Sequence, residues 1–221
     1  MSATPASRQR GLSVVETLVG LAVGLVIVGG ALKLFADHLD ATRRLLLEAR
    51  VHQDLRASAD LIARDLRRAG HWEHAASGVW LTPETAPPPN PHAVIGASAG
   101  SGLSYSYDRG AAQVGRAGFR LVDGRIQLRT APETWQEATD PAVLRVTRLD
   151  IVPVVREVDL LSRCAVTACP PGQASCPPRL VIRQVDIALQ GHAVADARIV
   201  REIRETVRVR NDQVAGSCPA P

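Results

Sequence analysis

The chain has 221 residues, a formal charge of +4, 46% hydrophobic residues and only 3% aromatic ones. That length fits one ordinary domain with an accessory segment, and the hydrophobic share excludes wholesale disorder while requiring a core built from Val, Leu, Ile and Ala. Arg8 and Arg10 lie in the first ten residues with no acid beside them, so the remainder is close to neutral, and no clustered basic motif argues for direct nucleic-acid binding.

A short basic leader, Arg8-Gln9-Arg10-Gly11, precedes Leu12-Ser13-Val14-Val15-Glu16, and an uncharged run then extends from Thr17 to Leu32, ended by Lys33. The run lies between the core of a signal peptide and a spanning helix of about 20 residues, so length alone does not decide its role. The order of features does. A secretory signal places small residues at a cleavage site after its apolar core, whereas Gly11 precedes this one and no A-x-A site occurs before Ala36-Asp37. The apolar segment is therefore expected to remain in the mature protein.

A carboxylate in a membrane segment costs about 2.5 kcal/mol or more, so Glu16 calls for a partner, and a free N-terminal ammonium suits it. The plain alternative is a signal anchor with a stray acid near its end. Gly20 and Gly24 make a G-x-x-x-G pair that permits close approach of another helix, and Gly29-Gly30 is a place for the helix to bend.

From Asp37 to Arg68 there is no Pro or Gly, and Leu47, Val51, Leu55, Ala59, Ile62, Leu66 and Ala69 recur every three or four residues. This is one apolar stripe of an amphipathic helix, too short in heptads to favour a coiled coil. Asp40 with Arg44 and Asp60 with Arg64 are acid-first pairs four apart, while Arg64, Arg67 and Arg68 suit a helix C-terminus and Gly70 its cap. A continuous helix from Leu12 to Arg68 would be about 85 Å long.

The Pro-rich and then Gly/Ser-rich stretch from Thr82 to Gly102 reads as a surface connection. Beyond it, Leu103–Tyr107 reads as a strand, and Phe119–Val122 with Arg125–Arg129 as a hairpin turning at Asp123-Gly124. Val143–Val155, Leu180–Leu189 and Ile203–Val209 add β-branched runs, giving five or six strands. One long helix laid on a mainly antiparallel sheet, an α+β domain, follows from the layer rule.

Cys164, Cys169, Cys176 and Cys218 allow two disulfides in three pairings, between which the sequence does not choose. None is spaced C-x-x-C, which argues against zinc. His71 and His74 are three apart, but no third metal ligand is evident nearby. Gly96-Ala97-Ser98-Ala99-Gly100 matches the G-x-S-x-G string of serine hydrolases, yet it leads into a strand pattern rather than a helix, so no nucleophile elbow is expected. Nothing points to a catalytic residue, a metal or a cofactor.

Gly11, the hydrophobic Leu12, three further residues and Glu16 at the head of an apolar helix resemble the processing motif of type IV prepilins. The run Leu61–Trp72 is similar to minor pilins of the PilW type, and the resemblance covers residues 8–74 well and the remainder loosely. It implies a pilin-like fold divided into a leader (1–11), a transmembrane and assembly half-helix (12–36), an amphipathic half-helix (37–70) and a sheet-rich periplasmic domain (71–221). It further implies cleavage after Gly11 by prepilin peptidase and N-methylation of Leu12, where the family more often carries Phe. Glu16 would pair with a neighbour's terminal amine in a type IV pilus. The expected partners are the peptidase, other minor and major pilins, the inner-membrane assembly platform and membrane lipid. The subunit would sit in the inner membrane, single-pass, and then in the pilus. A type II secretion pseudopilin J-like subunit is similar in length and layout. From another class, a single-pass anchored periplasmic binding or enzymatic domain would predict no cut at Gly11.

Overall fold

A computed structural model describes residues 13–81, 85–98, 102–110 and 113–221. Helix α1 runs Val14–Leu66 and is continuous across Gly29-Gly30. The chain falls into two compact units, the first ending at Leu46 and the second running Leu47–Pro221.

In the first unit the apolar side chains surround the helix and are exposed, from Val14 at 75% to Phe35 at 60%. Asp40 pairs with Arg43 at 3.6 Å. Nothing stands within 4 Å of where a Cβ would sit on Gly20 or Gly24.

The second unit opens with the amphipathic part of α1. Val51, Leu55, Ile62, Leu66 and Ala69 are fully buried, Ala59 nearly so, and half-buried Leu47 packs against them. The predicted stripe is thus the buried face, and each large side chain in it contributes about 1.5–3 kcal/mol of transfer free energy. It meets Phe119, Ile126, Leu144 and Leu189 in one core cluster.

Nine strands are described, all paired antiparallel in two sheets. The first sheet is a meander of β1 (Ile95–Ser98), β2 (Gly102–Asp108), β3 (Val114–Val122), β4 (Arg125–Ala131) and β5 (Thr134–Glu137). The second orders β6 (Leu144–Asp159), β7 (Arg179–Ala193) and β8 (Val200–Arg208), with β9 (Gln213–Ala215) also on β7. The α+β class holds, with two sheets where the sequence suggested one.

The Asp123-Gly124 hairpin forms as expected. Both residues have positive φ, 50° and 78°, and Val122 pairs with Arg125, the geometry of a primed two-residue turn. The strands absent from the sequence reading, β1, β5 and β9, have only three or four residues each, too few for alternation to register. Strand β6 continues past Pro153, which pairs with Val185, because β6 is an edge strand and its outward side owes no ladder hydrogen bond at that point.

The region 82–102 is not merely a surface connection. Asn90 and His92 are each only 6% exposed, and β1 pairs with β2 from Ile95↔Tyr105 to Ser98↔Gly102. The G-x-S-x-G string therefore begins on a strand that hands on to another strand, with residues 99–101 outside the described set. That excludes the strand-to-helix elbow.

Candidate functional site

Gly11 and Leu12 lie outside the described residues. Glu16 stands exposed in the first turn of α1, where its negative charge complements the helix dipole. Thr17 next to it donates its Oγ1 proton to the Val14 carbonyl at 2.8 Å, inside the helix. From Val14 to Phe35 every large apolar side chain is exposed. This is one helix, among the described residues, long and apolar enough to cross a membrane. An apolar surface on all sides asks for an apolar solvent or a bundle of like helices.

The second site is the C-terminal end of α1. After Leu66 the last turn tightens, with the Arg68 and Ala69 amides donating to Asp65 and Leu66 carbonyls. Gly70 then takes φ +70°, the left-handed cap conformation that the sequence anticipated. Its amide donates not to the helix but to the Ser106 carbonyl of β2 at 3.0 Å. Its carbonyl accepts from Asn90 Nδ2 at 2.8 Å and Asn211 Nδ2 at 3.0 Å. Three remote segments thereby meet on one residue.

Beside this cap, His92 Nε2 lies 2.8 Å from Asp108 Oδ1, and His92 Nδ1 lies 2.9 Å from Ser106 Oγ. The other Asp108 oxygen accepts from the Glu73 amide at 2.9 Å. That backbone donor, with the His92 hydrogen bond and charge, holds the Asp108 carboxyl below its ordinary pKa against the opposing effect of desolvation. The Ser–His–Asp connectivity resembles a hydrolytic triad only in composition, because the serine and the aspartate are two residues apart on the same strand and the ring is buried between them. Its effect is to fasten Glu73 and His92 to β2. His71 and His74 go separate ways: His74 packs edge-on against Trp72 with ring centroids 6.0 Å apart, while His71 faces the arginines that end α1.

Asp65 is the one charged group buried along the α1 stripe, and it is matched by Arg68 one turn on and by the Tyr105 hydroxyl, which donates to Asp65 Oδ2. Burial pushes the Tyr105 phenol well above its ordinary pKa, an effect Arg68 partly offsets, so it remains a donor. The anticipated Asp60–Arg64 pair does not form, and Arg64 has no carboxylate within ion-pair distance among the described residues.

All four cysteines are oxidised, in the pairs Cys164–Cys218 and Cys169–Cys176. The first spans 54 positions and joins the C-terminal segment to the loop after β6. There Ser217 donates its amide to the Ser175 carbonyl at 3.0 Å. Gly216 has φ +88°, and a Cβ there would fall 2.2 Å from the Ser175 carbonyl oxygen, so this position admits only glycine without a shift of backbone.

Asn90, His92, Asp108 and Asn211 escaped the sequence reading, since they come together over separations of 16 to 141 residues that no local spacing reports. Only the positive φ preference of Asn, here 65° at Asn211, is a local signal.

The family model described as PpdB, prepilin peptidase-dependent protein B, matches residues 44–209. No curated protein and no solved structure matches the chain. The matched region contains the buried part of α1 and strands β1 to β8, and it excludes the leader, Glu16 and β9. The sequence resemblance at residues 8–43 thus lies outside the family match, which covers most of the region that the resemblance reached only loosely.

Proposed function

Because the chain belongs to the prepilin peptidase-dependent protein B family, we propose that it is a minor pilin, cut by prepilin peptidase after Gly11 and entering or priming a type IV pilus. Prepilin peptidase is its processing partner at the level of the family, and the apolar N-terminal helix fits a single-pass anchor. The observation that carries the finer reading is the first half of α1: apolar and exposed on every side from Val14 to Phe35, with one acid, Glu16, in its first turn.

In this reading the basic leader stays in the cytoplasm, and residues beyond the span are delivered to the periplasm, an oxidising compartment that suits two disulfides. Cleavage frees the amine of Leu12, which is then methylated. In the growing filament Glu16 neutralises the terminal amine of an adjacent subunit, and the cost of placing a carboxylate among apolar helices makes the unpaired register unfavourable. Neighbouring minor and major pilins and the inner-membrane assembly platform are the partners. The role is structural, with no chemistry required of the sheet domain.

The test is the intact mass and N-terminal sequence of protein recovered from membranes with and without co-expressed prepilin peptidase. The expected result is Leu12 as N-terminus only when the peptidase is present. Persistence of Met1 or Ser2, or a cut after the apolar segment, would return the chain to the anchored-domain reading.

A further inference from the structure

The C-terminal end of α1, the turn that follows it and the segment after β8 border a cavity of about 410 Å³. Arg64, Arg67 and Arg68 wall it from the helix and Arg210 from the segment after β8, with Tyr107 and His71 completing the lining. Arginines in the last turn of a helix complement the dipole, which accounts for three of the four. It does not account for Arg210, brought to the same space from another part of the chain.

The charges are not used up internally. Arg68 is spent on buried Asp65 and on the Tyr107 ring, 5.1 Å from its guanidinium. Arg67 reaches Glu205 only at 3.9 Å, and neither Arg64 nor Arg210 has an ion-pair partner among the described residues. Asp108 also borders the cavity as a carboxylate hydrogen-bonded to His92 and the Glu73 amide, and its single negative charge is outnumbered by Arg64, Arg67 and Arg210. His71 Nδ1 is buried without a hydrogen-bond partner. Four guanidinium groups and an unfilled imidazole nitrogen therefore border one space.

We propose that this cavity binds a phosphoryl group. A carboxylate is satisfied by one planar guanidinium fork, whereas Arg64, Arg67 and Arg210, approaching from two elements, match a tetrahedral dianion whose oxygens lie in several planes. The aromatic wall adds room for the substituent that bears it. The site lies wholly in the second unit, Leu47–Pro221, so it stands whether or not Glu16 acts in assembly.

The test uses the full chain in a maltoside detergent, titrated calorimetrically with inorganic phosphate, with a short-chain phosphatidic acid, and with succinate. Saturable binding of inorganic phosphate identifies a free phosphate site. Binding of the lipid phosphate alone identifies a headgroup site. In either case Arg64→Glu and Arg210→Glu, both at exposed unpaired positions, weaken binding at least tenfold, and Arg156→Glu, the same charge change on β6, leaves it within twofold. Binding of neither phosphate, equal binding of succinate, or equal loss in Arg156→Glu overturns the proposal.

Discussion

Arg201 on β8 reaches back 153 positions to Glu48 on α1, its Nη2 lying 2.7 Å from the carboxylate. The contact sits at the start of the helix's buried stretch, and both side chains retain solvent, 39% and 28%. Screening by water limits such a pair to about 1 kcal/mol or less, whereas truncating fully buried Leu55 removes core packing and costs about 2–5 kcal/mol. Denaturant unfolding of Glu48→Ala and Leu55→Ala measures both. A Glu48 effect equal to that of Leu55 would mean that charge, not burial, seats the helix.

Tyr105→Phe leaves a buried carboxylate at Asp65 with Arg68 as its remaining neutralising contact. The expected loss is about 1–3 kcal/mol, the desolvation cost of a buried acceptor left short of a partner. Its measure is the unfolding midpoint at neutral pH, with an unchanged denaturant slope showing that the fold persists.

Asp108 makes stability depend on pH in a defined direction. Its carboxyl is depressed in the folded protein, so it contributes stability above the ordinary aspartate value of about 3.9, and that contribution disappears as pH falls through the folded value. Asp108→Asn is therefore less stable than the parent at pH 7, and the gap narrows below pH of about 4. Unfolding curves from pH 7 to pH 3 test this; a gap that stays constant excludes the ionised carboxylate as its source.

The two disulfides differ in what they restrain. On chain-entropy grounds the 54-position closure of Cys164–Cys218 is worth about 4 kcal/mol and the 7-position closure of Cys169–Cys176 about 2.5 kcal/mol. Paired serine replacements should lower the thermal midpoint in that order. Gly216→Ala should impair the longer bridge without touching a cysteine, because the added methyl collides with the Ser175 carbonyl, and alkylation followed by mass measurement would find free thiol at Cys164 and Cys218.

Glu16→Ala should leave the sheet domain folded while reducing recovery in sheared pili by about tenfold or more, given the cost of a few kcal/mol that an unmatched charge imposes in an apolar bundle. Immunoblotting of pilus and membrane fractions gives the ratio; wild-type incorporation would remove Glu16 from the assembly role.

Much of the architecture was legible because it is local. The stripe from Val51 to Leu66, the cap at Gly70 and the turn at Asp123-Gly124 each follow from periodicity or from a backbone angle that few residues accept. What was not legible depends on distant partners. The short strands β1, β5 and β9 exist because longer neighbours offer them a ladder, and Asn90 and His92 are buried because they satisfy groups on Gly70, Ser106 and Asp108. Pairing of the cysteines likewise depended on where β9 brings the C-terminal segment.

The sharing of Gly70 among three segments bears on how the domain opens. Its amide is held by β2 and its carbonyl by Asn90 and Asn211, so the segments bearing Asn90 and Asn211 cannot peel away without exposing the end of the helix as well. In hydrogen exchange the Gly70 amide should then trade its proton at the rate of the whole core rather than of a frayed helix terminus, making this single glycine a reporter of the domain's slowest cooperative opening.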